Sequence, residues 1–412
     1  MATTIHSNTI NQNLWVAIDI AKYKHEVLIE YPNGAQKRLI IMNTLNDFNR
    51  LADKLNDTKL PIQIGFEATG YYHRGLAYFL IKSGFNVKLI SSIATARTRD
   101  AHYNSRDKND KRDANIILYL LKSGVTQYYY DPVIAETNDI QELSNTYDRV
   151  TFRKTQLQHS ILNHYLPLYF PEAEKYFCST RAKWFAEFFY AFPCPNAITC
   201  YKEEEFIEKA WSLVGRKVDK HNWLKDVYFS AQNSVGLPID TRSKTIDMYR
   251  LILNDFAEIC RQRNDIENLA DSYLAQREDY VRLKTVPGIG PIIAMTILAE
   301  AGNLRRFKHV NQFLKYCGFD LATKKSGTFS GKTTLSKRGN AKLRQMFWMA
   351  STIAIRMREN TFRRKYENYI KEDPKNANLK RKAYVAVAAK MARVVYSMIH
   401  HQTDYYCTHS SQ

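Results

Sequence analysis

Cysteine is scarce in this chain: six in 412 residues, with no CxxC pair among them. That excludes the dense disulfide framework of small secreted domains and points to reduced structural thiols. Cys194 and Cys200 have no second pair at metal-binding distance in sequence, so no zinc site is expected. Long apolar runs are missing as well. Nothing approaches the roughly 18 residues of a membrane span, and the nearest run, "AYVAVAAK", ends in lysine. The opening "MATTIHSNTINQN" has no apolar signal core. Together these absences set the expectation of a cytoplasmic protein with no membrane partner. The last shortage is regional: residues 301–400 hold 5 acidic side chains against 23 basic ones, nearly the whole formal charge of +19. A basic block of that size reads as the footprint of a polyanion. Nucleic acid fits better than a membrane surface, because no isolated amphipathic anchor accompanies it.

What is present suits a folded protein of two or three domains, with 45% hydrophobic and 13% aromatic residues. "LWVAIDIA", "HEVLIEY" and "KRLIIMN" read as three strands in meander order, the last two joined by a turn at "PNG". "TLNDFNRLADKL" has helical periodicity, with Asn43 or Thr44 as its N-cap. A strand in "PIQIGFEATG", a helix closed by Gly84, and a strand in "FNVKLIS" follow. The order βββαβαβ predicts an α/β domain over residues 12–130. Residues 131–279 carry two long amphipathic helical patterns of coiled-coil character, with an irregular, aromatic-rich insertion at about 168–240. Residues 280–405 form the third, mainly helical segment.

Two of these strands each carry a lone acid near the carboxyl end, Asp19 and Glu67. An acid within an apolar strand is costly unless it is paired or binds a cation. The stretch "SRDKNDKRDANIILYLL" then sets Asp107, Asp110 and Asp113 at three-residue spacing before an apolar helical run. Acids at a helix start also complement the macrodipole, which is the plainer explanation of this stretch alone. Yet Asp110 and Asp113 at i, i+3 share one helix face. In an open α/β sheet, functional groups gather at the carboxyl ends of the strands. Four oxygen donors meeting there would suit Mg²⁺. The order Asp, Glu, Asp-x-x-Asp on this strand pattern resembles the ribonuclease-H-like fold of Holliday-junction resolvases. Asp107 is left as a solvated neighbour.

In the last third, "LKTVPGIGPIIAMTILAEAG" has the pattern of a helix-hairpin-helix turn. Gly288 and Gly290 there would permit close backbone approach, and the amides at the following helix start can hold a phosphate. "GTFSGKT" is not a P-loop, since Gly327 and Gly331 enclose three residues where four are required. It belongs instead to a Ser/Thr/Gly-rich loop with Ser326, Ser330 and Ser336 as hydroxyls. Lys332, Lys337 and Arg338 are cations expected on a nucleic-acid backbone.

"AIDIAK", "GFEATGYY", "KNDKRDA", "VPGIGPIIA", "GFD" and "SKRGNAKLR" occur in that order and resemble the DEDD transposases of the insertion sequence 110 family, relatives of the pilin-gene invertases. In the third of these motifs Asn109 stands where the family usually has threonine. The resemblance implies a site-specific DNA recombinase whose resolvase-like domain binds Mg²⁺ through Asp19, Glu67, Asp110 and Asp113. It implies a nucleophilic serine that falls best on Ser326, with Ser330 as the competing alignment. It further implies a guide RNA from the element that pairs with donor and target DNA, and a homo-oligomer, dimer or tetramer. The alternatives are a structure-specific DNA nuclease that uses water as nucleophile, and a non-enzymatic nucleic-acid scaffold.

Overall fold

The computed structural model describes residues 13–103, 110–178, 182–215, 219–326, 329–358 and 360–406. The chain divides into two compact units, residues 1–137 and 138–412.

The first unit is built on strands β1 (Leu14–Asp19), β2 (Lys24–Glu30), β3 (Gln36–Met42), β4 (Ile62–Glu67), β5 (Val87–Ile90) and β6 (Gln127–Tyr128). Their order across the sheet is β3-β2-β1-β4-β5-β6. β1, β4 and β5 are parallel neighbours, whereas β2, β3 and β6 pair antiparallel. Helices α1 (Leu45–Asn56), α2 (His73–Lys82), α3 (Ser92–Tyr103) and α4 (Asp110–Lys122) complete it. Thr44 is the N-cap of α1, accepting from the Asp47 amide at 3.4 Å. Gly84, at φ +87°, ends α2 by donating to Ile81, while Phe85 donates to Leu80.

Strand alternation sorts the core. Leu14, Val16, Ile18, Ile64 and Phe66 face one side, where Leu51, Leu55, Leu76 and Leu80 of α1 and α2 cover them. Ala17 and Leu28 face the other, where α4 lays Ala114, Ile117, Leu118 and Leu121 across the sheet. Gly65 lies beneath Leu121, and a Cβ there would come within 3.0 Å of it.

The second unit contains α5 (Asn138–Ser160), α6 (Leu166–Tyr169), α7 (Ala182–Ala191), α8 (Pro195–Thr199), α9 (Glu203–Ala210), α10 (Lys220–Gln232), α11 (Lys244–Leu274), α12 (Glu278–Lys284), α13 (Pro291–Ala301), α14 (Val310–Tyr316), α15 (Ala341–Ala354), α16 (Thr361–Ile370) and α17 (Ala377–His401). The two long helical patterns are α5 and α11, and they pack on each other. Tyr147 of α5 donates to Glu267 and accepts from Arg263, both at 2.9 Å. The stretch expected to be irregular, 168–240, is instead largely helical, folding as α7 to α10. Phe185, Phe188, Phe189, Phe192 and Phe206 build its core in tilted and edge-on ring contacts. A ten-residue helix such as "AKWFAEFFYA", with Lys183 and Glu187 as its charged residues, is too short to show helical period clearly. A second core joins α12 to α17 around Met295, Leu298, Phe313, Phe347 and Met391. The Ser/Thr/Gly-rich loop is also structured, as an antiparallel hairpin of β7 (Leu321–Ser326) and β8 (Phe329–Leu335). Among the described residues no helix is long and apolar enough to cross a membrane.

Candidate functional site

Three carboxylates stand abreast on one face of the first unit's sheet. Ile18 and Phe66 are register partners on parallel strands, so the next residues, Asp19 and Glu67, lie side by side at the two carboxyl ends. Asp19 pairs directly with Glu26 of β2. Register partners project to the same face, and adjacent strands lie about 4.8 Å apart. That face is the one α4 covers, since Ala17 and Gly65 precede these acids by two residues. Asp19, Glu26 and Glu67 are all half-buried.

Helix α4 brings its own acids to the same end. Lys122 in its last turn pairs with Glu30, which lies opposite Trp15 near the start of β1. The helix therefore runs antiparallel to β1, and its N-terminus reaches the end of the strand where Asp19 sits. Asp110 is the first residue of α4; its side chain lies outside the described set, as does Asp107. Asp113 is buried, and the Arg99 guanidinium of α3 grips its Oδ1 through Nε at 2.8 Å and Nη2 at 2.7 Å. Both side chains of that pair are 12% exposed. Among the described residues no three acidic, histidine or cysteine side chains close to metal-holding distance.

In the second unit, Ser326 ends β7 opposite Phe329, and Ser330 lies opposite Lys325. The side chains of Ser326, Ser330 and Lys332 lie outside the described set. After the hairpin the chain is tied down residue by residue. The Ser336 amide donates to the Asp320 carbonyl at 2.8 Å, and the Asn340 amide to that of Tyr316 at 2.6 Å. Gly339, at φ +138°, passes so close to Tyr316 and Gly318 that a Cβ would meet the Tyr316 carbonyl at 2.5 Å. Arg344 Nη1 donates to the carbonyls of Cys317, 3.2 Å, and Lys337, 3.4 Å. "GFD" and "SKRGNAKLR" are thus two halves of one interlocked turn. Its outcome is to present Lys337, held at φ +55°, and Arg338 as exposed cations.

The "VPGIGP" turn joins α12 to α13. Gly288, at φ +87°, packs against α15, where a Cβ would lie 2.2 Å from the Ala350 carbonyl. Its close approach is to protein backbone. Gly290 is the N-cap of α13, and a Cβ on it would meet open space.

Residues 280–367 match the family model described as transposase of the IS116/IS110/IS902 family, and residues 16–171 match the DEDD transposase model of the IS110 type. The chain belongs to the IS110 family of transposases. Relatives of this IS110-family chain include the "Transposase for insertion sequence element IS1111A" of Coxiella burnetii, 25% identical over 177 residues, 43% of this chain and 47% of that protein. Another is the "Mini-circle putative transposase for IS117" of Streptomyces coelicolor, 23% identical over 335 residues, 76% of this chain and 78% of that one. The match thus spans about half the length of the Coxiella relative. The two matched segments of the IS110-family chain fall on the carboxylate row with α4, and on the "VPGIGP" turn with the interlocked hairpin.

Three features of this IS110-family chain escape a linear reading. Glu26 joins the row only through β1–β2 register, and Arg99 meets Asp113 only through helix packing. Lys342 sits in the basic block yet is committed internally, with Nζ 2.7 Å from Asp148, 2.9 Å from Ser144 and 3.3 Å from Glu300. The signal for Glu26 lay in the strand alternation of "HEVLIE"; for Arg99 and Lys342 no local signal exists.

Proposed function

We propose that this chain is the transposase of a bacterial insertion sequence, a DNA recombinase that cuts and rejoins DNA through a serine nucleophile. The observation that carries the reading is the in-register adjacency of Asp19 and Glu67 at the carboxyl ends of neighbouring parallel strands. In this reading the first unit is a ribonuclease-H-like, resolvase-type catalytic domain over residues 12–130, and strand order β3-β2-β1-β4-β5 supports it. A helical region, 131–279, links it to a transposase domain, 280–405, whose α12–turn–α13 is a helix-hairpin-helix with Gly290 toward nucleic-acid backbone, joined there by Lys332, Lys337 and Arg338 of the hairpin segment; Gly288, expected in the same role, is packed against the Ala350 carbonyl instead.

Carboxylates set abreast repel one another, and a hard divalent cation is the counter-charge that such oxygen donors suit. In this reading Asp19, Glu67, Asp110 and Asp113 would hold Mg²⁺, which suits oxygen donors. Bound there, the ion would stabilise negative charge on the scissile phosphate. Ser326 Oγ attacks phosphorus; the new O–P bond forms as the bond to O3′ breaks, and the serine proton passes to the released 3′ oxygen. The product is a phosphoserine that keeps the phosphoester for rejoining, so the reverse attack by a 3′ hydroxyl reseals DNA without nucleotide hydrolysis. A guide RNA selects donor and target by pairing, and the basic block takes its duplex by shape and backbone. The exchange of two DNA molecules calls for a dimer or tetramer, working in the bacterial cytoplasm on the nucleoid.

The test is to incubate the protein with labelled donor and target duplexes, Mg²⁺ and RNA transcribed from its own flanking DNA. A protein–DNA adduct that survives denaturation, and is lost in Ser326→Ala but kept in Ser330→Ala, is the expected result. Nicked DNA with no adduct in any variant would replace this mechanism with a water-using nuclease.

A further inference from the structure

An open cleft of about 590 Å³ lies between α16 and α17 in the second unit. Thr361, Arg364, Lys365, Asn368 and Tyr369 line it from α16, and Lys390 from α17. The spacing explains the convergence: Arg364 with Asn368, and Lys365 with Tyr369, are i, i+4 neighbours on adjoining rows of one helix face. The lining holds three cations and no carboxylate. Glu367, the acid of this helix, turns to Arg363 at 2.8 Å.

Lys390 is fixed at the floor. Its Nζ donates to the Thr361 carbonyl at 3.0 Å and lies 5.9 Å from the centre of the Phe362 ring. Burial lowers its pKa below the usual lysine value, and the charges of Lys365 and Arg364 lower it further. Lys365 and Arg364 thus repel the Lys390 charge within one trough, and an anion among them would lower that repulsion. Asn368, Tyr369 and Thr361 add neutral groups of the kinds that commonly touch phosphate and sugar. The volume suits a nucleotide-sized group. The family match ends at residue 367, so α17 lies beyond it.

We propose that this cleft is a backbone-phosphate site for nucleic acid, with Arg364, Lys365 and Lys390 holding one phosphodiester group. The inference rests on the reading above that the chain handles nucleic acid, and it adds a contact surface distinct from the "VPGIGP" turn and the interlocked hairpin.

The test uses the full chain and two labelled probes, a random-sequence DNA duplex and an RNA hairpin, titrated by fluorescence anisotropy over a range of KCl. Loss of one duplex phosphate contact lowers the slope of log K against log salt by about 0.9, which is about eightfold in affinity at 0.1 M salt. That change is expected for Arg364→Gln/Lys365→Gln, and a smaller one of the same sign for Lys390→Gln. A loss on DNA alone or on RNA alone names the source of the phosphate. Arg364 and Lys365 are half-buried, so the melting temperature of the double variant is measured beside that of the wild type as the control for folding. Should it not fold, Lys365→Gln alone carries the same test. Wild-type binding with unchanged slope and affinity in these variants overturns the inference and leaves the proposed function intact. A wild type that binds neither probe overturns both.

Discussion

At the scale of single residues, the carboxylate row and its neighbours make the sharpest expectations. Asp19→Asn and Glu67→Gln should each reduce DNA cleavage at least a hundredfold, roughly the cost of removing one preorganised charge partner, while DNA binding by anisotropy stays within about twofold. Cleavage at the wild-type rate in either variant would remove that residue from the chemistry. Asp113 makes a different kind of test. Its pair with Arg99 is largely sequestered, and breaking a buried pair strands the surviving charge. Arg99→Leu should therefore destabilise the first unit by about 3 kcal/mol, with Arg99→Leu/Asp113→Leu recovering most of it in a denaturant titration. Acid should act through His25. It is buried against Phe48, and burial, opposed by an Asn43 hydrogen bond, lowers its pKa below 6.5. The folded state then binds fewer protons than the unfolded one, so this stability is fully present above about pH 6.5 and is lost as pH falls below that value. Melting temperature should decline from pH 7 to pH 5, and less steeply in His25→Gln. Asp19 and Glu67 were legible as lone acids in apolar strands. Strand alternation shows the face of Glu26 but not its neighbour, and for Arg99 neither is legible, because nothing within their own segments says which partner folding will give them.

Among the elements, the turn between α12 and α13 separates two glycines that look alike in sequence. Gly288→Ala meets a backbone carbonyl and a positive φ, so it should cost about 3 kcal/mol or more. Gly290→Ala meets nothing, at φ −91°, and should change stability by no more than about 0.5 kcal/mol. Parallel thermal melts decide this, and a mild Gly288→Ala would refute the packing account. The same contrast measures what sequence can tell. In the first unit, β1 to β5 and helices α1, α2 and α4 were readable as apolar runs or repeats, whereas α3 and the two-residue β6 were not. The helices of 168–240 were not, since they are short, 5 to 13 residues each, and leave few repeats of the period to read. The serine segment reads as loop because polar residues fill both faces of β7 and β8, which removes the alternation that marks a half-buried strand.

For the whole molecule, the basic block is the dominant electrostatic fact, and composition alone revealed it. Binding to non-specific DNA should weaken about a thousandfold between 50 and 200 mM salt if some six phosphates are engaged; a flat salt dependence would show that the +18 balance of residues 301–400 is spent on internal partners, as Lys342 is. The division of the chain has a consequence in time as well. Every strand of the six-stranded sheet precedes residue 129, and the unit closes at Thr137. The 275 residues from Asn138 to Gln412 remain to be made at that point, a delay of roughly 14–55 s at ordinary rates of synthesis. On the ribosome the acids come into register first, well before the cationic third of the chain exists.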